Sequence, residues 1–180
     1  MKRIVYSILL LLALCPACSF AQGRFMYGIT AGFDYGAQSD FYSHSNLGLI
    51  AGIGIGYFNW DHYSYCVQLL FDQKGNMKSY LEIPLTIKIP FTTIDKSKPY
   101  IFAGPTFGFL LSSYGEEFTY GLYAGIGVTA PISTNIDFLF EVGYAQDLEG
   151  LFNTINIDGF VTHRASSQDV RIYVGMLFGK

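Results

Sequence analysis

The sequence predicts an all-β fold, an eight-stranded antiparallel up-and-down transmembrane β-barrel, on three observations. Runs of about ten residues alternate apolar and polar side chains with period two, and no amphipathic helix separates them. One face of these runs is apolar throughout, while the other mixes charges with bare glycines. Connections on one side are short turns, and three of the four on the other are longer than any of them, the rhythm of barrels that cross an outer membrane.

The alternation is clearest in "YLEIPLTIKIP" at 80–90, where Leu81, Ile83, Leu85, Ile87 and Ile89 share one face and Glu82, Pro84, Thr86, Lys88 and Pro90 share the other. Eight such runs can be drawn, at 25–35, 47–58, 63–73, 79–91, 99–111, 119–130, 136–145 and 169–178. A strand of about ten residues rises roughly 33 Å and, tilted by about 45°, crosses roughly 23 Å, close to the apolar band of such a barrel. An even number of strands brings both ends of the mature chain to the same side. With the N-terminus periplasmic, 59–62, 93–98 and 131–135 are inner turns, and 36–46, 74–78, 112–118 and 146–168 are outer loops.

A soluble sandwich shows the same alternation with inside and outside exchanged, so face composition must decide. The apolar face carries Ile29, Phe33, Leu49, Ile53, Ile55, Val67, Leu69, Phe71, Phe107, Leu122, Ile126, Phe138, Phe140, Ile172 and Val174. The other carries Gly28, Asp34, Gly52, Gly54, Gly56, Gln68, Asp72, Glu82, Lys88, Gly104, Gly125, Gly127, Asp137, Glu141 and Arg171. Charges and glycines make a poor hydrophobic core. They suit a narrow lumen, where glycines make room for Tyr100, Phe102 and Tyr123 and charges pair across the interior. Glu82, Lys88, Asp137, Glu141 and Arg171 are expected to form one ionic cluster there, with Glu141 and Arg171 as neighbours that hold the barrel shut. Tyr57, Phe58, Trp60, Tyr63 and Tyr80, at strand ends, are expected in the interfacial girdles. Pro84 has no N–H to give a neighbour, so the fourth strand should carry a bulge or a missing ladder bond beside it.

The N-terminus reads as a signal peptide over 1–21, with "MKR" as basic region, "IVYSILLLLALC" as apolar core and Ser19-Phe20-Ala21 as cleavage pattern. An uncleaved anchor would need a longer apolar core, and Leu14 and Pro16-Ala17 are poor company for lipidation at Cys15 or Cys18. Cleavage leaves one barrel domain at 22–180, with Cys66 as the remaining thiol and no internal disulfide. A net charge of −3 offers nothing to nucleic acid.

Candidate chemistry is sparse. "GIGIGY" and "AGIGV" superficially suggest dinucleotide loops, but neither opens a helix in a βαβ unit. His44, His62 and His163 sit in separate loops or turns, without local metal-ligand spacing. His163, Ser166 and Asp169 could be drawn as a lipid hydrolase site only by analogy with other barrels. Cys66 reads as a small lumen filler. No catalytic residue, metal ligand or cofactor is assigned. "GLIAGIGIG" at 48–56 and "GLYAGIGVT" at 121–129 coincide at six positions, through duplication or through the shared composition of barrel strands.

"SYLEIPLTIKIPF" followed by "KPYIFAGPTFGFLLS", with "VRIYVGMLFG" near the end, resembles the PorT-like outer-membrane β-barrel domains of Bacteroidetes. Tyr80 to Leu85, Pro99-Tyr100 and Gly104-Pro105 carry the resemblance, which spans nearly the whole mature chain. It implies an eight-stranded outer-membrane barrel, diverse roles and no shared catalytic set. The chain departs from many such barrels in ending Phe178-Gly179-Lys180 rather than on an aromatic residue.

Two classes of function stay open. One is a non-enzymatic, monomeric scaffold, surrounded by lipid and lipopolysaccharide and inserted by the outer-membrane assembly machinery, that meets an envelope protein through loop 146–168. The other is a narrow conduit for small solutes, which an eight-stranded bore disfavours.

Overall fold

The computed structural model describes residues 23–38, 45–74, 78–91, 96–111, 118–148, 154–157, 160–163 and 167–179. The expected leader, His44 and Ser166 lie outside them. Among the described residues there are ten strands: β1 (Arg24–Gln38), β2 (Ser45–Phe58), β3 (Ser64–Lys74), β4 (Lys78–Pro90), β5 (Lys98–Leu110), β6 (Phe118–Ser133), β7 (Ile136–Asp147), β8 (Thr154–Ile157), β9 (Phe160–His163) and β10 (Ser167–Gly179). Eight of them close into an antiparallel barrel in the order β1-β10-β7-β6-β5-β4-β3-β2.

Closure sets the geometry. Following pairs from Phe25 through Tyr57, Tyr65, Ile87, Ala103, Ala124, Tyr144 and Val170 returns to β1 at Tyr35, so one circuit climbs from residue 25 to residue 35, a shear of 10. Eight strands with such a stagger enclose a lumen just wide enough for side chains to fill. The faces fall as the alternation dictates. Ile29, Phe33, Ile53, Ile55, Leu85, Ile87, Phe140 and Ile172 point outward, and Thr30, Asp34, Gln68, Asp72, Glu82, Lys88, Glu141 and Arg171 are buried inside. In a transmembrane barrel, lipid is what touches the isoleucines.

The strand ends differ from expectation in three places. β6 runs on to Ser133 through a register shift between Pro131 and Ser133, which leaves only 134–135 as the turn to β7. A bulge at that point accommodates a proline that cannot donate to the ladder. Between β7 and β10, the flanking strands each run two residues into the expected loop, β7 to Asp147 and β10 from Ser167, with Gln168 opposite Gln146. β8 and β9 pair with each other, Thr154 opposite His163 and Ile157 opposite Phe160, as a separate two-stranded sheet. Finally, Tyr57, Phe58, Trp60 and Tyr80 are buried rather than exposed in a lipid girdle. Phe58 has the inward parity of Gly54 and Gly56, and Tyr80 that of Glu82, so both follow their strands into the lumen. The outer aromatic belts are formed instead by exposed residues such as Phe25, Tyr27, Tyr35, Phe91, Phe118 and Tyr144.

Around Pro84 the pairing is interrupted without a shift of register. On one side β3–β4 partners pass from Val67–Leu85 to Leu70–Glu82, and on the other β4–β5 partners pass from Pro84–Thr106 to Ile87–Ala103. Two prolines account for this, because Pro84 on β4 and Pro105 on β5 each remove a donor from adjacent stretches of ladder.

Ile53 lies near mid-strand, is 60% exposed and pairs with Ile29 and Leu69. Ile53→Arg should destabilise the barrel by about 2–4 kcal/mol, and Leu47→Arg near the strand end by about 0–1 kcal/mol, the depth dependence expected of a lipid-facing surface. Urea unfolding in lipid vesicles measures both.

Candidate functional site

The lumen is where the sequence concentrates charge, and closure arranges that charge in three groups along the barrel. The group nearest the end without termini centres on Arg171 of β10. Its guanidinium donates to both carboxylate oxygens of Glu82, at 2.6 and 3.0 Å, and reaches Asp72 and Asp169 at 3.4 Å each. A planar fork meeting a carboxylate through two parallel bonds is the strongest form such a pair takes. Tyr123 places its ring 5.7 Å from the same guanidinium. Asp34, Asp72 and Asp169 offer carboxylate oxygens within 4.8 Å of one another, the one grouping among the described residues with metal-ligand spacing, and Arg171 already contacts two of the three.

Deeper in the lumen, Lys88 of β4 forms an ion pair with Glu141 of β7, and Glu141 also accepts a hydrogen bond of 2.7 Å from the Tyr100 hydroxyl. The Lys88 ammonium lies 5.1 Å from the centre of the Tyr100 ring and 5.8 Å from that of Phe58. The third group sits at the end that carries both termini, where Arg24 donates to Asp137 at 2.9 Å from a half-exposed position.

The five charged residues expected as one cluster are therefore divided. Glu82 and Arg171 belong to the first group, Lys88 and Glu141 to the second, and Asp137 to the third. The expected Glu141–Arg171 pair is not made: in the β7–β10 register Arg171 stands opposite Gly143 and Glu141 opposite Tyr173. The register sets Glu141 one inward position nearer the termini, where Lys88 reaches it from across the lumen. Asp72, Asp169, Arg24 and Tyr100 were absent from the expected cluster. For Asp169 the signal was available, since it shares strand and parity with Arg171. Arg24 lies far from Asp137 in sequence, and only closure brings them together.

Aromatic rings close the rest of the bore. Phe58, Trp60, Tyr100, Phe102, Tyr123 and Tyr173 follow one another at centroid spacings of 5.2, 5.6, 6.4, 4.8 and 6.2 Å. Trp60 arrives from the β2–β3 turn, which is shaped by hydrogen bonds from Asp61 N–H to Asn59 Oδ1 and from Asn59 N–H to Ser64 Oγ. Glycines opposite the rings are required by space. A Cβ on Gly127 would come within 2.6 Å of the Tyr100 ring, and one on Gly125 within 2.6 Å of Phe102.

Of the imagined hydrolase residues, Asp169 faces inward against Arg171. His163 lies in β9. His62 is in the β2–β3 turn, edge-on to Tyr63 at 6.3 Å. Cys66 is buried in the lumen as a free thiol.

These features define a small transmembrane β-barrel with a side-chain-filled lumen. The chain is similar to the solved structure of Neisserial surface protein A, with a TM-score of 0.59 at 16% identity over 87% of this chain and 97% of that one. It is also similar to the N-terminal β-barrel domain of Pseudomonas aeruginosa OprF, with a TM-score of 0.51 at 16% identity over 87% of this chain and 100% of that one. At such identities the likeness is one of fold. No protein-family model and no curated protein matches the sequence.

Arg171→Met leaves Glu82 buried without its cation and should cost about 3–5 kcal/mol, whereas Arg171→Met with Glu82→Met should recover most of that loss. Unfolding midpoints and heat-modified gel mobility of the single and double variants provide the check.

Proposed function

We propose that the protein is a non-enzymatic scaffold of a Gram-negative outer membrane, with its termini in the periplasm and the four connections at the opposite end outside the cell. The PorT-like resemblance of the motifs around Tyr80 and Pro99 agrees with this placement, as does the fold shared with Neisserial surface protein A. The observation that carries the reading is the filled lumen. Ion pairs cross it at two levels and a run of aromatic rings occupies what remains, so the surfaces left for recognition are the two ends. Unusually long loops on a rigid barrel are the usual carriers of function, and 148–166, with its own β8–β9 sheet, is the largest such feature. An envelope protein is the partner class proposed for it, with lipid, lipopolysaccharide and the assembly machinery as surroundings, and the barrel working as a monomer.

The competing role, a conduit for small solutes, requires displacement of Arg171 or Lys88 from buried partners. In planar lipid bilayers the purified protein should give no stable open channel, and a long-lived conductance would reverse the ranking of the two roles.

Replacing 150–166 by a short Gly-containing turn should leave a folded, membrane-inserted barrel, because the lipid-facing strands remain whole. Crosslinking in intact cells, followed by identification of what copurifies, should then show loss of the partner captured by the parent. Retention of every partner would move the working surface to the periplasmic turns.

A further inference from the structure

Of the six rings that follow one another through the bore, five stand on barrel strands and one, Trp60, arrives from a turn. The turn is pinned at Asn59 by its hydrogen bonds, so the indole can rotate about its own side-chain torsions without unpairing a strand. It packs on Phe58 and Tyr100, 9% exposed, with the Lys98 ammonium over its ring. The same two rings bear the Lys88 ammonium, and Phe58, Lys88 and Cys66 line one small cavity. Phe58 ends β2, with Trp60 beyond it, while Cys66 stands opposite Gly56. Trp60 is thus the outermost layer at the end bearing the termini, and Lys88 and Cys66 lie one layer further in. The indole N–H is buried without a hydrogen-bond partner among the described residues, so this position leaves a donor dehydrated and unsatisfied.

We infer that Trp60 is a displaceable cap on this mouth of the lumen. With the indole in, Lys88 and Cys66 are sealed from solvent. With it out, a vestibule opens that ends at the Lys88–Glu141 pair, because Phe102, Tyr123 and Tyr173 still close the bore beyond. Two opposing terms make the cap movable. Ring burial and the Lys98 cation favour the closed position. The orphaned N–H favours the open one, since a tryptophan at the membrane–water boundary keeps its rings in lipid and its donor in water. The turn already stands at that boundary, next to the exposed Phe25 and Phe91 of the neighbouring strands.

The test uses the protein in lipid bicelles, where both ends of the barrel meet water and Trp60, the sole tryptophan, gives all of the indole emission. Time-resolved fluorescence should resolve a protected population and one quenched by acrylamide. Lys98→Met removes the cation from the ring and should raise the ratio of quenched to protected by about two- to fivefold. The seal is read at Cys66 with a charged methanethiosulfonate reagent, labelling at that residue being followed by peptide mass. Trp60→Ala should label at least an order of magnitude faster than the parent, and Lys98→Met, which leaves every ring in place, should label faster in proportion to its quenched population. Heat-modified gel mobility identifies the folded barrel in each case. An indole fully protected in both the parent and Lys98→Met, or a folded Trp60→Ala barrel that labels no faster than the parent, overturns the cap.

Discussion

Charge buried in a bore this narrow must be neutralised across it, and the rest of the structure depends on that constraint. Arg171 on β10 and Glu82 on β4 are four strands apart by either route around the barrel, so their bidentate pair spans the lumen between opposite walls. Lys88 and Glu141 make a second crossing between β4 and β7. β4 carries one partner of each, with opposite sign, six residues apart. Breaking either crossing would leave an ion in a low-dielectric interior, which is far more costly than the pair itself is stabilising. The walls are thus held at a set separation, and the bore cannot widen without exposing unpaired charge.

Glycine makes room for two kinds of side chain under this constraint. On β6 and β7, Gly125, Gly127 and Gly143 lie beneath Phe102, Tyr100 and Tyr123, and even a methyl group would displace a ring. On β1 and β2, Gly28 and Gly52 lie as closely beneath Leu177 and Leu70, whose side chains a Cβ would meet at 2.7 and 2.6 Å, while at Gly54 the nearest side-chain atom, Gln68 Cγ, stands at 3.1 Å. One wall is cleared for aromatic rings, the other mainly for aliphatic side chains. The six-position echo between 48–56 and 121–129 falls across this divide. It places β2 and β6 four strands apart, on opposite walls, with the same residue type making room for Leu70 on one and for Phe102 on the other.

With the bore occupied, the ends of the barrel are left as the surfaces that differ from lipid-facing scaffold. The end bearing the termini is compact: an Asn59-centred turn, a two-residue turn at 134–135, and Trp60 folded inward between Phe58 and Tyr100, with the Lys98 ammonium 5.9 Å from its ring. The opposite end carries the longest connection, between β7 and β10, and with it the β8–β9 sheet. An isolated two-stranded sheet is marginal in water, and its outer edges offer unpaired backbone groups, the physical reason to look there for recognition.

The sequence by itself determined the number of barrel strands, their inward and outward faces and the lipid-facing surface, because side-chain alternation is a local property of extended backbone. Ile83, Leu85 and Ile87 declare their face whatever the chain around them does. It also held more than a reading by strand-end composition extracts: parity alone sends Phe58 and Tyr80 inward with Gly56 and Glu82. Only the tertiary structure decided which charges meet, because a partner across the lumen depends on the shear with which eight strands close, and every register contributes to that one integer. A stagger of ten residues sets Glu141 level with Lys88 and Arg171 level with Glu82, and brings Arg24 to Asp137. The self-pairing of 154–157 with 160–163 was likewise beyond local pattern, since short apolar runs pair with whichever strand the fold brings alongside.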